Sequence, residues 1–154
     1  MQKNKYYIAY GSNLNLEQMD VRCPGAQIIG TSEIKDYRLL FKGSLTGSYL
    51  TIEKAKGYRV PIAIWAVSPA HERALDRYEG FPRFYYKKEF TLTVNGKKLS
   101  CFTYIMHENR PIGIPSRWYV EGCMEGYKAF HFPMKPLSEA LKHSYNCCRK
   151  EVLR

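Results

Sequence analysis

The run Val60-Pro61-Ile62-Ala63-Ile64-Trp65-Ala66-Val67 is the most constraining feature of the sequence. Its apolar residues are nearly unbroken, the pattern of a strand buried on both faces or set in a barrel wall, and Pro61, which lacks an N–H, belongs near its start. Lys5 to Tyr10, Tyr37 to Phe41 and Tyr49 to Ile52 read as further short strands. Phe90, Leu92 and Val94 alternate with polar residues up to Asn95-Gly96, a dipeptide that tolerates the positive φ angles of a type I′ turn, and Leu99 to Met106 resumes the β pattern. Roughly seven strands are expected on this reading.

Helical signals are fewer and later. Ser68 can cap a helix with Pro69 at its first position and Glu72 in its first turn; Ala70, Ala74, Leu75 and Tyr78 fall on one stripe, and Gly80 ends it. Ser116 opens a second helix with an apolar face of Tyr119, Val120, Cys123, Met124 and Tyr127. A third starts at Pro136 with Leu137, Ala140, Leu141 and Cys148 inward, and a short one follows Asn13. The segment Glu108 to Pro115 reads as a loop bordering a pocket. Early strands with helices inserted and appended predict an α+β fold: a curved or barrel-like mixed sheet with flanking helices. No repeat or linker divides residues 1–154, so one domain is expected.

Composition narrows the function. No stretch approaches the ~20 apolar residues of a membrane helix, and the polar-flanked N-terminus is too short to be a signal peptide, which predicts a cytoplasmic protein. Five cysteines without a CxxC, and four histidines at wide intervals, offer no metal motif, so neither a metal nor a cofactor is expected. Lys and Arg number 24 against 14 Asp and Glu, a net charge of +10. The basic residues are scattered as doublets such as Lys87-Lys88 and Lys97-Lys98, which favours a solvated surface over a nucleic-acid face.

Three features could carry chemistry. In Tyr10-Gly11-Ser12-Asn13-Leu14 a strand breaks into a glycine turn, whose successive N–H groups can cradle a carboxylate or an oxyanion or can simply cap an ordinary turn. Ser12 is not framed as a nucleophile, because GxSxG needs a glycine where this chain has Leu14. Glu79 falls at a helix end, where the macrodipole is negative and Asp76 lies one turn back; in an aromatic pocket its pKa would rise toward neutrality, whereas on the surface it would pair with Arg77 or Arg83. Tyr85-Tyr86, Trp118-Tyr119 and Tyr127 supply rings for either a pocket wall or a core.

Together these segments resemble the γ-glutamylcyclotransferase family, also described as AIG2-like. Tyr7-Ile8-Ala9-Tyr10-Gly11-Ser12-Asn13-Leu14 looks like its YGSN signature, Leu75-Asp76-Arg77-Tyr78-Glu79-Gly80 matches the segment bearing its catalytic glutamate, and Pro115-Ser116-Arg117-Trp118-Tyr119 resembles the helix entry that supplies a substrate-facing tyrosine. The resemblance implies a small mixed β-barrel with flanking helices. It implies a cytoplasmic enzyme that converts a γ-glutamyl amine, amino acid or carrier-bound γ-glutamyl group into 5-oxoproline and the free amine without a cofactor, a chemistry of the lyase or acyltransferase kind. Glu79 would be the general acid/base, and residues Tyr7, Ile8, Ala9, Tyr10, Gly11, Ser12, Asn13 and Leu14 with Tyr86 and Tyr119 would bind substrate. This chain carries Gly47-Ser48-Tyr49 where relatives often show a glycine pair, and the resemblance implies that the bulk of Tyr49 can reshape the pocket floor. A non-catalytic binding or regulatory module on the same fold, and a basic nucleic-acid-binding barrel using surface tyrosines for stacking, are the alternatives.

Overall fold

A computed structural model describes residues 4–44 and 47–152. The elements run β1 (Lys5–Ala9), a 3₁₀ turn (Ser12–Leu14), α1 (Leu16–Arg22), β2 (Gln27–Ser44), β3 (Gly47–Val67), α2 (Pro69–Glu79), β4 (Tyr85–Val94), β5 (Lys97–Met106), α3 (Arg117–Ala129) and α4 (Lys135–Val152). The five strands form one sheet in the order β2-β3-β1-β5-β4. β1 is antiparallel to β3, from Lys5↔Val67 to Ala9↔Ala63, and parallel to β5 through Tyr7↔Phe102. The mixed α+β class is therefore as expected.

The sheet curls without closing into a hydrogen-bonded barrel. Its edge strands β2 and β4 meet through side chains: the Ser32 hydroxyl donates to the Thr93 carbonyl at 3.0 Å, and the rings of Tyr37 and Phe90 lie 5.3 Å apart. The expected strands are fewer and longer than seven. Tyr37 to Phe41 belongs to the 18-residue β2, and Tyr49 to Ile52 and Val60 to Val67 are parts of the 21-residue β3. Pro61 consequently lies within β3 and not near its start. β1 pairs only with Ala63 to Val67, so at Pro61 the strand has β2 on one side, and the missing N–H removes no rung to β1.

Local chemistry explains the ends of the elements that matter for the site. Ser68 caps α2, its hydroxyl accepting from the His71 N–H at 3.1 Å while His71 Nδ1 accepts from the Ser68 N–H, so a histidine completes a capping box usually closed by Glu or Gln. With Nδ1 accepting, Nε2 donates to the Pro24 carbonyl at 2.7 Å and ties α2 to the end of α1. Gly80 ends α2 in the left-handed region, at φ 67°. Ser116 caps α3 by accepting from the Tyr119 N–H. The hairpin turn at Asn95 and Gly96 has positive φ at both residues, as its type requires.

The core fills the inside of the curl. Ile8, Phe41, Ile62, Ile64 and Met106 are sealed from solvent, and the run Val60 to Trp65 is buried at every position. On α3, Gly126 lets the helix approach the 3₁₀ turn, since a Cβ there would lie 2.5 Å from the Leu14 carbonyl carbon. The Glu108 to Pro115 segment is pinned to β2 by bonds from the Gly43 N–H to Pro111 and from the Gly113 N–H to Phe41. Among the described residues no helix is long and apolar enough to cross a membrane, and no disulfide joins the cysteines.

Candidate active site

β1 runs out of the centre of the sheet at Ala9, and the chain turns through Tyr10 and Gly11 into the 3₁₀ turn. The N–H groups of Leu14 and Asn15 are taken up by the carbonyls of Gly11 and Ser12, and those leading the turn have no partner within it. Gly11 fits close under β3, where a Cβ would meet Leu50 at 3.3 Å. Asn15 holds the turn to α3, its amide donating to the Gly122 carbonyl and to Glu125, both at 3.0 Å.

The turn forms one wall of a cleft of about 440 Å³. Glu79, the last residue of α2, forms another. Its helix is fixed to the sheet one turn earlier, where Asp76 accepts from the Tyr104 hydroxyl at 2.6 Å and pairs with Lys87 at 2.9 Å. Part of Glu79 opens to the cleft, while protein surrounds its carboxyl closely enough to withhold solvation, and that burial pushes its pKa up to about 7 against the opposing charge of Arg22. Of the two environments the sequence leaves open for Glu79, the structure has the enclosed one, in the cleft and not paired on the surface. The cause of the raised pKa is burial, and Asp76, engaged by Lys87 and Tyr104, is not among the contributors.

Tyrosines complete the enclosure. Tyr7 accepts from the Asn13 amide at 2.8 Å, Tyr10 donates to the Tyr104 carbonyl at 2.6 Å, Tyr85 donates to the Leu50 carbonyl at 2.9 Å, and Tyr119 accepts from the Leu50 N–H at 3.0 Å. Burial first, and the Glu79 charge among the lesser causes, raises the pKa of each well above the ordinary phenol range. All four are neutral hydroxyls at physiological pH. Arg22 supplies the cationic side chain of the lining: its guanidinium donates to Asn13 and to Gln18, and stacks on Tyr78, whose hydroxyl shares a 3.3 Å hydrogen bond with Ser12. Among the described residues no three His, Cys, Asp or Glu side chains converge as metal ligands would.

The structure brings together Glu79, Tyr119 and, from the signature segment, Tyr7, Tyr10, Gly11, Ser12 and Asn13. Ile8, Ala9 and Leu14 are fully buried beneath the turn and serve the core. Tyr86 lies outside the cleft. Its hydroxyl donates to Glu108 in a separate groove shared with Tyr37 and Ile105, and its neighbour Tyr85 faces the cleft instead, as strand alternation requires of one of the two. Tyr49 lines the cleft as expected, its ring 5.3 Å from that of Tyr119. Arg22, Thr103 and Tyr104 are lining residues that sequence reasoning did not name, and Tyr85 takes the pocket-wall place of the two it left open.

Fold and site define an α+β protein with one enclosed carboxyl titrating near neutrality among phenols and a backbone turn. A family model described as "Gamma-glutamyl cyclotransferase, AIG2-like" matches residues 7–121. A human protein named gamma-glutamylcyclotransferase is 30% identical over 140 residues, covering 84% of this chain and 73% of the relative. Its Bos taurus counterpart is 31% identical with the same coverage. A solved structure named "Gamma-glutamyl cyclotransferase" superposes with a TM-score of 0.79 at 28% identity, over 91% of this chain and 87% of that one. The chain belongs to the gamma-glutamyl cyclotransferase, AIG2-like family, and is a cyclotransferase-like enzyme.

Proposed function

We propose that the cleft cyclises a γ-glutamyl amine, a γ-glutamyl amino acid or a carrier-bound γ-glutamyl group to 5-oxoproline and releases the free amine. The substrate's α-amino nitrogen attacks its own γ-carbonyl carbon; that C–N bond forms, and the bond from the γ-carbon to the departing nitrogen breaks. Attack within one molecule carries a large proximity advantage, up to ~10⁵–10⁸ M in effective molarity for well-oriented groups. No protein nucleophile is called for. What remains is to fold the substrate, stabilise the tetrahedral oxyanion and move a proton.

Glu79 suits the last task. A carboxyl with a pKa of about 7 can take a proton from the attacking α-amino group and return it to the leaving nitrogen at neutral pH. The leading N–H groups of the turn from Tyr10 to Asn13 are suited to the substrate carboxylate or the oxyanion. Tyr119, whose oxygen already accepts from Leu50, keeps its own proton to donate into the cleft. The observation that carries this reading is the placement of an unusually weak acid in the same cleft as that turn.

The test is 5-oxoproline release from a panel of γ-glutamyl amino acids, γ-glutamyl alkylamines and a γ-glutamylated carrier, with Glu79→Gln alongside. Turnover by the natural chain and a loss of about 10²–10⁴-fold in the variant is the expected result. Full activity in Glu79→Gln would remove Glu79 from the role, and silence across the panel would favour a binding module on this fold.

A further inference from the structure

The cleft is graded in depth. Tyr7, Tyr10, Tyr85 and Tyr119, the residues around Glu79, are at most 8% exposed, whereas Tyr49 is 37% and Trp118 is 73% exposed. We propose that the outer half of the cleft is a subsite for the departing amine, that it selects an uncharged aromatic or bulky apolar substituent, and that Trp118 is its specificity-determining residue. The inference rests on the cyclotransferase reading of the inner half and assigns what that reading leaves open.

Three observations carry it. Trp118 lies in the first turn of α3, whose start is locked by the Ser116 cap and by Tyr119 bonded to Leu50, so its backbone is fixed while its indole extends into solvent. A tryptophan left so open on a cleft wall is a large apolar surface awaiting a partner. The second observation concerns charge. Apart from the phenols, the ionisable side chains of the lining are Arg22 and Glu79, and the Arg22 guanidinium is already engaged by Asn13, Gln18 and the Tyr78 ring. The rings that line the outer part, Tyr49, Phe84 and Trp118, carry no charge, so a charged substituent set among them would lose hydration without a counterion from these side chains. The third is shape: Tyr49 stands edge-on to Tyr119 at 5.3 Å and to Phe84 at 6.3 Å, so Tyr49 and Phe84 supply ring surface to the same cleft that Trp118 lines. A volume of about 440 Å³ accommodates both halves of a dipeptide-sized ligand.

The experiment has two readouts. The first is kcat/KM for γ-glutamyl-phenylalanine, γ-glutamyl-glycine and γ-glutamyl-glutamate, in the natural chain, Trp118→Ala and Trp118→Phe. The phenylalanine substrate is expected to lead glycine by about tenfold or more, chiefly through KM, with glutamate last. Trp118→Ala should reduce that lead to about twofold, and Trp118→Phe should restore part of it. The second readout needs no turnover. The other tryptophan, Trp65, is 5% exposed within β3, so a change in solvent exposure on binding reports Trp118. γ-Glutamyl-phenylalanine should shift the emission to shorter wavelength and protect it from acrylamide, and γ-glutamyl-glycine should do so far less; Glu79→Gln holds either ligand uncleaved.

No preference for phenylalanine, or a preference that survives Trp118→Ala, overturns the subsite. A fluorescence response selective for the phenylalanine ligand without 5-oxoproline from any substrate would keep the subsite and reject the proposed reaction. Absence of both signals rejects both.

Discussion

The guanidinium of Arg22 lies 3.5 Å above the ring of Tyr78, the residue immediately before Glu79. The same guanidinium is hydrogen-bonded to Asn13, so one side chain at the end of α1 joins the backbone turn to the helix end that carries the acid. Its charge opposes the burial that raises the Glu79 pKa.

That relationship predicts a movable pH profile. In the proposed reaction Glu79 accepts a proton only when ionised, so kcat/KM should fall about tenfold per unit as pH drops below about 7. Arg22→Met removes the opposing charge and should move this limb upward by about half a unit or more, with Arg22→Lys moving it less. A limb that stays in place in Arg22→Met would show that Arg22 does not act on the titrating group.

Stability should respond to the same carboxyl with a definite sign. The native pKa of about 7 stands above the ordinary 4.5, so between these values the folded state holds more protons than the unfolded and stability falls as pH rises. Above pH 7 the buried ionised group costs about 1–3 kcal/mol. Glu79→Gln should therefore be more stable than the natural chain at pH 8 by about that amount and nearly equal to it at pH 4. Urea denaturation at both pH values measures the difference.

Tyr119→Phe preserves the ring contacts with Phe41 and Tyr49 and removes the oxygen that accepts the buried Leu50 N–H. The orphaned donor should cost about 1–3 kcal/mol, and the lost hydroxyl should raise KM more than it lowers kcat. A melting curve and steady-state kinetics on one preparation separate the two effects.

Gly126→Ala reverses the usual expectation for a helix. Alanine in a helix interior ordinarily stabilises by about 1 kcal/mol over glycine. Here the new Cβ would fall 2.5 Å from the Leu14 carbonyl carbon and 2.7 Å from the Asn15 nitrogen, and backbone cannot yield as a side chain does. The variant should lose about 1–3 kcal/mol and some activity with it, because α3 is driven off the turn. A rise in Tm would show that the approach is not tight.

Much of this arrangement is legible in the sequence where local chemistry decides it. Ser68, Pro69 and Gly80 bound α2 and so place Glu79 at its last turn, and Asn95-Gly96 fixes the β4–β5 hairpin. The long strands are not legible, because between their apolar parts β2 and β3 run as a ribbon exposed to water through residues 53–59, where polar side chains read as loop. The choice between Tyr85 and Tyr86 fails for a different reason. The visible alternation of Phe90, Leu92 and Val94 puts Tyr86 on their face of β4, whereas the cleft lies on the opposite face, and a period of two gives parity without saying which face holds the site. Arg22 carries no signal at all, since a basic residue in the last turn of a short helix is what helix chemistry favours anyway.

The position of β1 between β3 and β5 bears on how tightly a ligand can be held. The turn that follows it starts from the middle of the sheet, is stitched to α3 through Asn15, and is packed against by Gly126. Its backbone entropy is lost when the chain folds and not when a ligand arrives. Association then immobilises the ligand far more than the protein, and affinity for a flexible γ-glutamyl chain is governed by how many of the ligand's own rotations must be frozen.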